Sequence, residues 1–398
     1  MMTDTIKKST GALEGLKVLD FTTLLPGPYA SMVLADLGAE VLHVIGPGRY
    51  DLVTHWSPDL PGQGTGGVGA WLGRNKKSLF LNLKKEGAVE VVKKLVADYD
   101  IILEQFRPGV MAKLGLVYED LAKVNPGLIY CSITGYGQTG PKKDRAGHDI
   151  NYLAQSGIAA SSGRKEGGPA LYNFQIADVA SGSMNALVGI LAAVIHRQNT
   201  GEGQYIDIAM ADGLVPFLSM DGAAFLAGEG PVGPEEGLLN GGGIYDFYET
   251  KDGGYMSVGS LEGKFFRALC RALGYPEWED GKILKEDPEG VKAAFRATFR
   301  TKSREEWTAI FRETDACVEA VLTIDEVIKD PHYQERGVFP QVPLAIGEGQ
   351  VTQLGNPIRM TKTPPAYVHA GYPEGYHSRE VLSTLGLSKD EIEELSSR

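Results

Sequence analysis

Three ionisable residues in loops of unusual local sequence stand out in this 398-residue chain: Asp178 in NFQIADVASG, His148 in RAGHDINY and Glu262 in VGSLEGKFF. Carboxylates and imidazoles are side chains suited to moving protons near neutral pH. Asp178 stands at the start of a helix whose next residues are small or apolar, where free backbone N–H groups and the positive dipole end favour an anion. That place suits a helix cap as well as a catalytic carboxylate. His148 follows a glycine in a loop, which suits a solvated bystander as well as a base, and Glu262, just after a strand, also reads as a helix-start glutamate. No P-loop, nucleophile elbow, HExxH or GxGxxG accompanies them, so neither hydride nor phosphoryl transfer is indicated. Cys131, Cys270 and Cys317 lie far apart without a CxxC pair, which points to neither a disulfide framework nor a zinc site.

The elements that must position these residues alternate. From Leu16 the chain reads as strand, glycine turn, helix and strand: LKVLDFT, LLPGP, YASMVLADLG, AEVLHVI. A second unit runs through SLFLNL, EGAVEVVKKLVADY and DIILEQF, and a third through YEDLAKVNPG and LIYCSITGYG. Strands alternating with helices predict a parallel, doubly wound α/β sheet. Its ligands would sit at the carboxyl ends of the strands, at LLPGP, QFRPG and TGYGQTGP. An apolar helix over roughly 177–199 then leads through NTGEGQ into the strand YIDIAM. A stretch rich in Gly, Pro and Glu over 228–243 reads as a mobile linker. After it, a hairpin turning at KDGG and helices near 265–273, 291–301 and 304–312 predict a smaller α+β domain. Beyond Val338 the chain is Pro-rich and irregular until a helix near 378–385.

Composition narrows the function classes. Lys and Arg number 39 against 51 Asp and Glu, a formal charge of −12 with no Lys/Arg block, which argues against nucleic-acid binding. The polar first 15 residues carry no signal-like apolar region, and no run approaches the ~18 consecutive apolar residues of a membrane span. The expectation is a cytoplasmic protein with no membrane partner.

The runs LKVLDFTTLLPGPYASMVLADLGAEV, EQFRPGVMAKLGL, YCSITGYGQTGP, AGHDINYLAQSG, ADVASGSMNALVGILAAV and TDACVEAVLTIDEV closely resemble the family III CoA-transferase superfamily (CaiB/BaiF type), best its alpha-methylacyl-CoA racemase branch. The resemblance is collinear from Leu16 to the C-terminus. It implies a large Rossmann-like domain and a smaller α+β domain in an interlocked homodimer. The corresponding boundaries are 1–225 for the N-terminal part of the large CoA-binding domain, 226–335 for linker and small domain, and 336–398 for the C-terminal part returning to the large domain. It further implies an acyl-CoA thioester as substrate and no prosthetic group or metal.

Carried residue by residue, Asp178 matches the aspartate that forms an acyl anhydride in the transferases and serves as one of two opposed bases in the racemases. His148 matches the racemases' other base, and Glu262 the acid that orients it. Epimerisation beside a thioester requires a proton removed from one face, a planar enolate, and a proton returned to the other face. The N–H groups at the start of the Asp178 helix are the expected donors to the enolate oxygen. Leu25 and His148 stand where typical transferases have glutamine and tyrosine, which favours a racemase. Gly241, Gly242 and Gly243, and GSLEGKFF without the racemases' proline, favour transfer of CoA onto an aromatic or alicyclic acid. The resemblance places Gln105, Phe106, Lys113 and Leu114 along CoA, with Lys76 and Lys77 as candidate phosphate ligands. Lys113 stands where arginine is usual, and Arg49 is the substitute for a second expected arginine.

Overall fold

The computed structural model describes residues 11–47, 51–54 and 56–397. Two compact units emerge, the first comprising 1–153, 174–214 and 332–398 and the second 154–173 and 215–331.

The first unit is built on six strands: β1 Lys17–Asp20, β2 Glu40–Ile45, β3 Lys76–Phe80, β4 Ile101–Glu104, β5 Ile129–Thr134 and β6 Tyr205–Ala209. They lie in the order β3-β2-β1-β4-β5-β6, every neighbour parallel, which is the doubly wound arrangement. β4 and β5 are buried along their whole length, as strands covered on both faces must be. The helix Ala88–Val96 turns Val91, Val92, Leu95 and Val96 onto the sheet and leaves Glu90, Lys93 and Lys94 outward. β3 begins two residues earlier than SLFLNL suggests, because Lys76 pairs in register with Val41 and is buried rather than flanking the strand.

A continuous helical stretch, Ile176–Thr200, is long and apolar enough by length and composition to cross a membrane. It corresponds to the apolar helix read over roughly 177–199. The stretch opens as a wide π-turn, Ile176–Ser183, and continues as the helix Met184–Thr200, burying Ala186, Leu187, Ile190, Ala193 and Val194.

The C-terminal segment completes this unit. Val381, Leu382, Ile392 and Leu395 join the core formed by Leu19, Leu42, Leu79, Val92 and Ile102. The terminal helix Lys389–Leu395 was not anticipated, although Ser388 and Glu391 form a capping box at its start. Deeper in, the fully buried Arg74 guanidinium donates to both carboxylate oxygens of Asp36 (2.9 and 2.6 Å) and to the Gln353 side chain and Leu354 carbonyl (3.0 and 2.9 Å).

The second unit carries the antiparallel sheet β7 Asp246–Glu249, β8 Tyr255–Val258 and β9 Val318–Ala320, with the helices Gly263–Leu273, Pro288–Phe299 and Arg304–Arg312. Tyr248, Phe266, Phe295, Phe299 and Trp307 fill its core. It also takes in 154–173 and 215–225, which the sequence reading assigns to the large domain. Two polar ties draw 154–173 across: Arg164 pairs with Asp246 at 2.6 Å and Glu235 at 2.8 Å, and Asn240 donates to the Ser161 carbonyl at 3.0 Å. The 228–243 stretch is thus internal to this unit.

Replacing Arg74 by Met leaves the Asp36 carboxylate buried without its counter-ion and is expected to cost about 3–5 kcal/mol of stability. Urea unfolding reads this, with Asp36→Leu/Arg74→Met recovering most of the loss. A cost below about 1 kcal/mol for the single variant would contradict the assignment.

Candidate functional site

Asp178 is the third residue of the π-turn, a geometry that occurs mostly as short insertions and often at functional positions. Two buried hydroxyls anchor the turn from below. Ser181 donates to the Met210 carbonyl and Ser183 to the Pro26 carbonyl, both at 2.6 Å. Gly182 fits between them because a Cβ there would lie 3.0 Å from the Met210 side chain and 3.3 Å from Pro26.

The N-terminal end of the turn is held by Asp149. The Asp178 N–H donates to Asp149 Oδ1 at 2.9 Å, and the N–H groups of Ile176 and Ala177 are directed to the same carboxylate. This corrects two expectations. Asp178 is not the cap of its own helix, since Asp149 supplies that function from another segment. Nor is the N–H of Asp178 itself open to an enolate oxygen, because the Asp149 carboxylate accepts it.

His148 immediately precedes Asp149. Its N–H donates to Asn151 Oδ1 at 3.0 Å and its carbonyl accepts from Asn151 at 2.8 Å, so the helix Asp149–Ser156 starts at this residue with the His148 side chain exposed. Tyr152 fixes the loop by donating to the Gly147 carbonyl at 2.6 Å. A Cβ on Gly147 or Gly135 would come within 2.7 Å of the tyrosine, which explains the glycine at each place.

The structure therefore brings the His148 loop and the Asp178 turn together through Asp149. Glu262 belongs to the second unit, where it is exposed at the cap position of the helix Gly263–Leu273 without a capping hydrogen bond from its side chain. Burial, followed by the charge of Asp149, pushes the Asp178 carboxyl up from 3.8 to about 7. At neutral pH this group can act as a carboxylate or as its conjugate acid.

The residues expected along CoA divide sharply. Gln105 accepts the Gly27 N–H at 3.0 Å and so supports the LLPGP turn. Phe106 and Leu114 are partly buried against the sheet core, and Lys113 is exposed at the end of the short helix Val110–Lys113. Lys77 is exposed and paired with Glu380 at 2.9 Å. Lys76 corrects the expectation of a phosphate ligand. It is buried, and its ammonium donates to Ser31 Oγ at 2.6 Å, the Pro28 carbonyl at 2.9 Å and Asp20 at 3.4 Å, which uses its three protons. Arg49 lies outside the described residues. Gly241, Gly242 and Gly243 lie in the second unit: Gly241, at φ 97°, offers its carbonyl to Lys292, Gly242 donates to the Gly237 carbonyl at 3.0 Å, and Gly243 faces open space. Among the described residues no group of three or more His, Cys, Asp or Glu side chains is placed to hold a metal ion.

Sequence reasoning missed Asp149. Its only local signal is an acidic residue in a helix's first turn, which does not show that the carboxylate serves a different helix.

A family model described as CoA-transferase family III matches residues 13–378. The chain belongs to CoA-transferase family III. This family III chain is 38% identical over 393 residues to the alpha-methylacyl-CoA racemase of Homo sapiens, covering 97% of this chain and 96% of that protein. It is 31% identical over 382 residues to the succinyl-CoA:glutarate CoA-transferase of Mus musculus, covering 94% and 86%. Among solved structures it matches a CaiB/BaiF family protein from Brucella suis with a TM-score of 0.82 at 27% identity, covering 94% of this chain and all of that one. The family thus includes both racemases and CoA-transferases, and its enzymes act on CoA thioesters.

The Asp178 carboxyl gives a stability test with a definite sign. Below about pH 4 it is neutral folded or unfolded. Between about 4 and 7 only the unfolded chain ionises, and above 7 the folded chain carries the full penalty of a charged group there. Asp178→Asn should therefore gain Tm over the parent by an amount that grows from pH 4 to 7 and then levels off. A difference that does not change with pH would contradict the shift.

Proposed function

We propose that this family III protein epimerises the α-carbon of 2-methyl-branched acyl-CoA thioesters by two-base proton transfer. The observation that carries the reading is the Asp178 carboxyl, poised near neutrality and tied by Asp149 to the loop that presents His148. In one direction neutral His148 takes the α-proton, the electron pair of the C–H bond moves into an enolate, and protonated Asp178 delivers its proton to the opposite face. The reverse direction starts from the complementary protonation states. A pair of bases whose resting states differ by one proton at the working pH suits such exchange. With the Asp178 N–H committed to Asp149 and the Asn151 and Tyr152 N–H groups to the His148 carbonyl, we assign the enolate oxygen to the N–H groups of Asp149 and Ile150 at the start of the helix Asp149–Ser156.

The chain acts as an interlocked homodimer in this reading, and Glu262 orients the imidazole and fixes its tautomer. Lys77, Gln105, Phe106, Lys113 and Leu114 line the CoA thioester. Similarity to the human racemase supports the assignment.

A second reading, transfer of CoA from a donor such as succinyl-CoA to a carboxylic acid through an Asp178 anhydride, is favoured by the run Gly241–Gly243 and by similarity to the mouse transferase. It demands an ionised nucleophile, and a carboxyl titrating near 7 is only partly ionised at neutral pH.

Incubation of 2-methylacyl-CoA thioesters in heavy water without an acid acceptor should exchange the α-proton for deuterium. No exchange with any such thioester removes the epimerase reading. His148→Ala should lower epimerisation by about 10²–10⁴, and undiminished turnover in that variant would show that His148 is not a base. Trapping an acyl group on Asp178 with hydroxylamine after incubation with acyl-CoA alone would instead support transfer.

A further inference from the structure

Asp149 occupies a place no local rule requires. It is half-buried and lies one residue from His148. It could have capped only its own helix, yet its carboxylate accepts the N–H of Asp178 at 2.9 Å, with the N–H groups of Ile176 and Ala177 directed toward it. A carboxylate taken partly out of water needs such donors, and the open start of the π-turn supplies them. The bond is directional, so it fixes the backbone of Asp178 against the backbone that carries His148. It also sets a second negative charge beside the Asp178 carboxyl, and like charges at close range favour the protonated form of one partner.

We infer that Asp149 is a positioning residue that docks the Asp178 turn onto the His148 loop and, through its charge, sets the pH at which Asp178 gives up its proton. The surroundings leave this role to Asp149. From the helix Asp149–Ser156 the ionisable groups facing the turn are Asp149 and Tyr152. Behind Tyr152 stand Tyr136, edge-on at 5.2 Å, and Arg107, which acts on the tyrosine. The turn also packs on the helices Pro26–Asp36, Met184–Thr200 and Met210–Leu214 and on β5 and β6, which carry Tyr29 and Asp36, His196 and Arg197, Asp212, Tyr130 and Cys131, and Asp207. Asp207 is engaged with the Gln138 N–H at 3.0 Å. Besides burial, Asp149 is the group whose charge acts on the Asp178 carboxyl. The role in proton transfer rests on the two-base reading; the docking and the titration do not.

The test uses the whole protein without substrate. A water-soluble carbodiimide with an amine labels protonated carboxyls, so the rate of Asp178 labelling against pH, read by peptide mass spectrometry, reports its titration midpoint. The parent is expected to show a midpoint near 7. Asp149→Asn keeps an oxygen acceptor for the turn but removes the charge, and should lower the midpoint by about one pH unit with Tm close to the parent's. Asp149→Glu keeps the charge and should keep the midpoint near the parent's. If Asp149→Asn proves too unstable, Asp149→Ser still offers a capping oxygen without charge and reads the same quantity. A midpoint in the charge-free variants equal to the parent's overturns the inference, whatever happens to Tm, because a purely structural cap would change Tm alone. Failure of α-proton exchange in the parent would remove the epimerase reading but leave this comparison intact. An unchanged midpoint would remove the inference and leave the exchange.

Discussion

A carboxylate removed from water must be surrounded by donors, and in the first unit this requirement organises the edge of the sheet where ligands of doubly wound folds bind. β1 ends in Asp20, which accepts from Thr22, Ser31 and Lys76 and so fixes the turn into the first helix. β4 ends in Glu104, which accepts the Phe106 N–H at 2.7 Å and the Ser132 hydroxyl of the adjacent strand. On β6 Asp207 accepts the Gln138 N–H from the loop after β5. Asp149 extends the same logic one layer outward, to the turn that bears Asp178. Asp20 and Glu104 exchange a hydration shell for such donors and Asp149 does so in part, while Asp207 stays exposed and ties its loop through the Gln138 N–H.

The sheet was legible in the sequence because its signal is local. Runs such as KVLDF, EVLHVI and IYCSIT are rich in buried apolar residues and read as short strands, and the helices between them show their stripes. The hairpin at KDGG and the helix 304–312 were legible for the same reason. What escaped were arrangements made by partners distant in sequence. Lys76 reads as a surface cation until Asp20, Ser31 and the Pro28 carbonyl close around it. The cap of the Asp178 turn could not be read from its neighbours, since the acceptor comes from 29 residues upstream. The assignment of 154–173 to the second unit depends on Arg164 meeting Asp246, 82 residues away.

The candidate site was legible in part. Asp178 and His148 could be picked out as residue types in suitable loops, and the structure joins their segments. The environment that moves the Asp178 carboxyl toward neutrality could not be read, because it depends on burial and on the neighbouring acid. That environment is also where two chemistries within one family separate physically. A nucleophile gains from being charged and exposed to its electrophile, whereas one member of a two-base pair gains from spending comparable time with and without its proton. The same aspartate can serve either task, and its surroundings bias which.

The return of the C-terminal segment to the first unit bears on how the chain is made. β3 is an outer strand of the sheet, and its free edge is covered late. The Ser78 N–H donates to His377 Nδ1, the His377 N–H donates back to the Ser78 carbonyl, and the Phe80 N–H donates to the Ser378 hydroxyl. A nascent chain on the ribosome has already produced β3 some three hundred residues before these partners emerge. Throughout that interval the sheet presents an unpaired strand edge, the kind of surface that invites pairing with another chain. The first unit is therefore begun early in synthesis and completed only after its C-terminal part has emerged. Premature termination anywhere before His377 would release a product whose sheet lacks its seal.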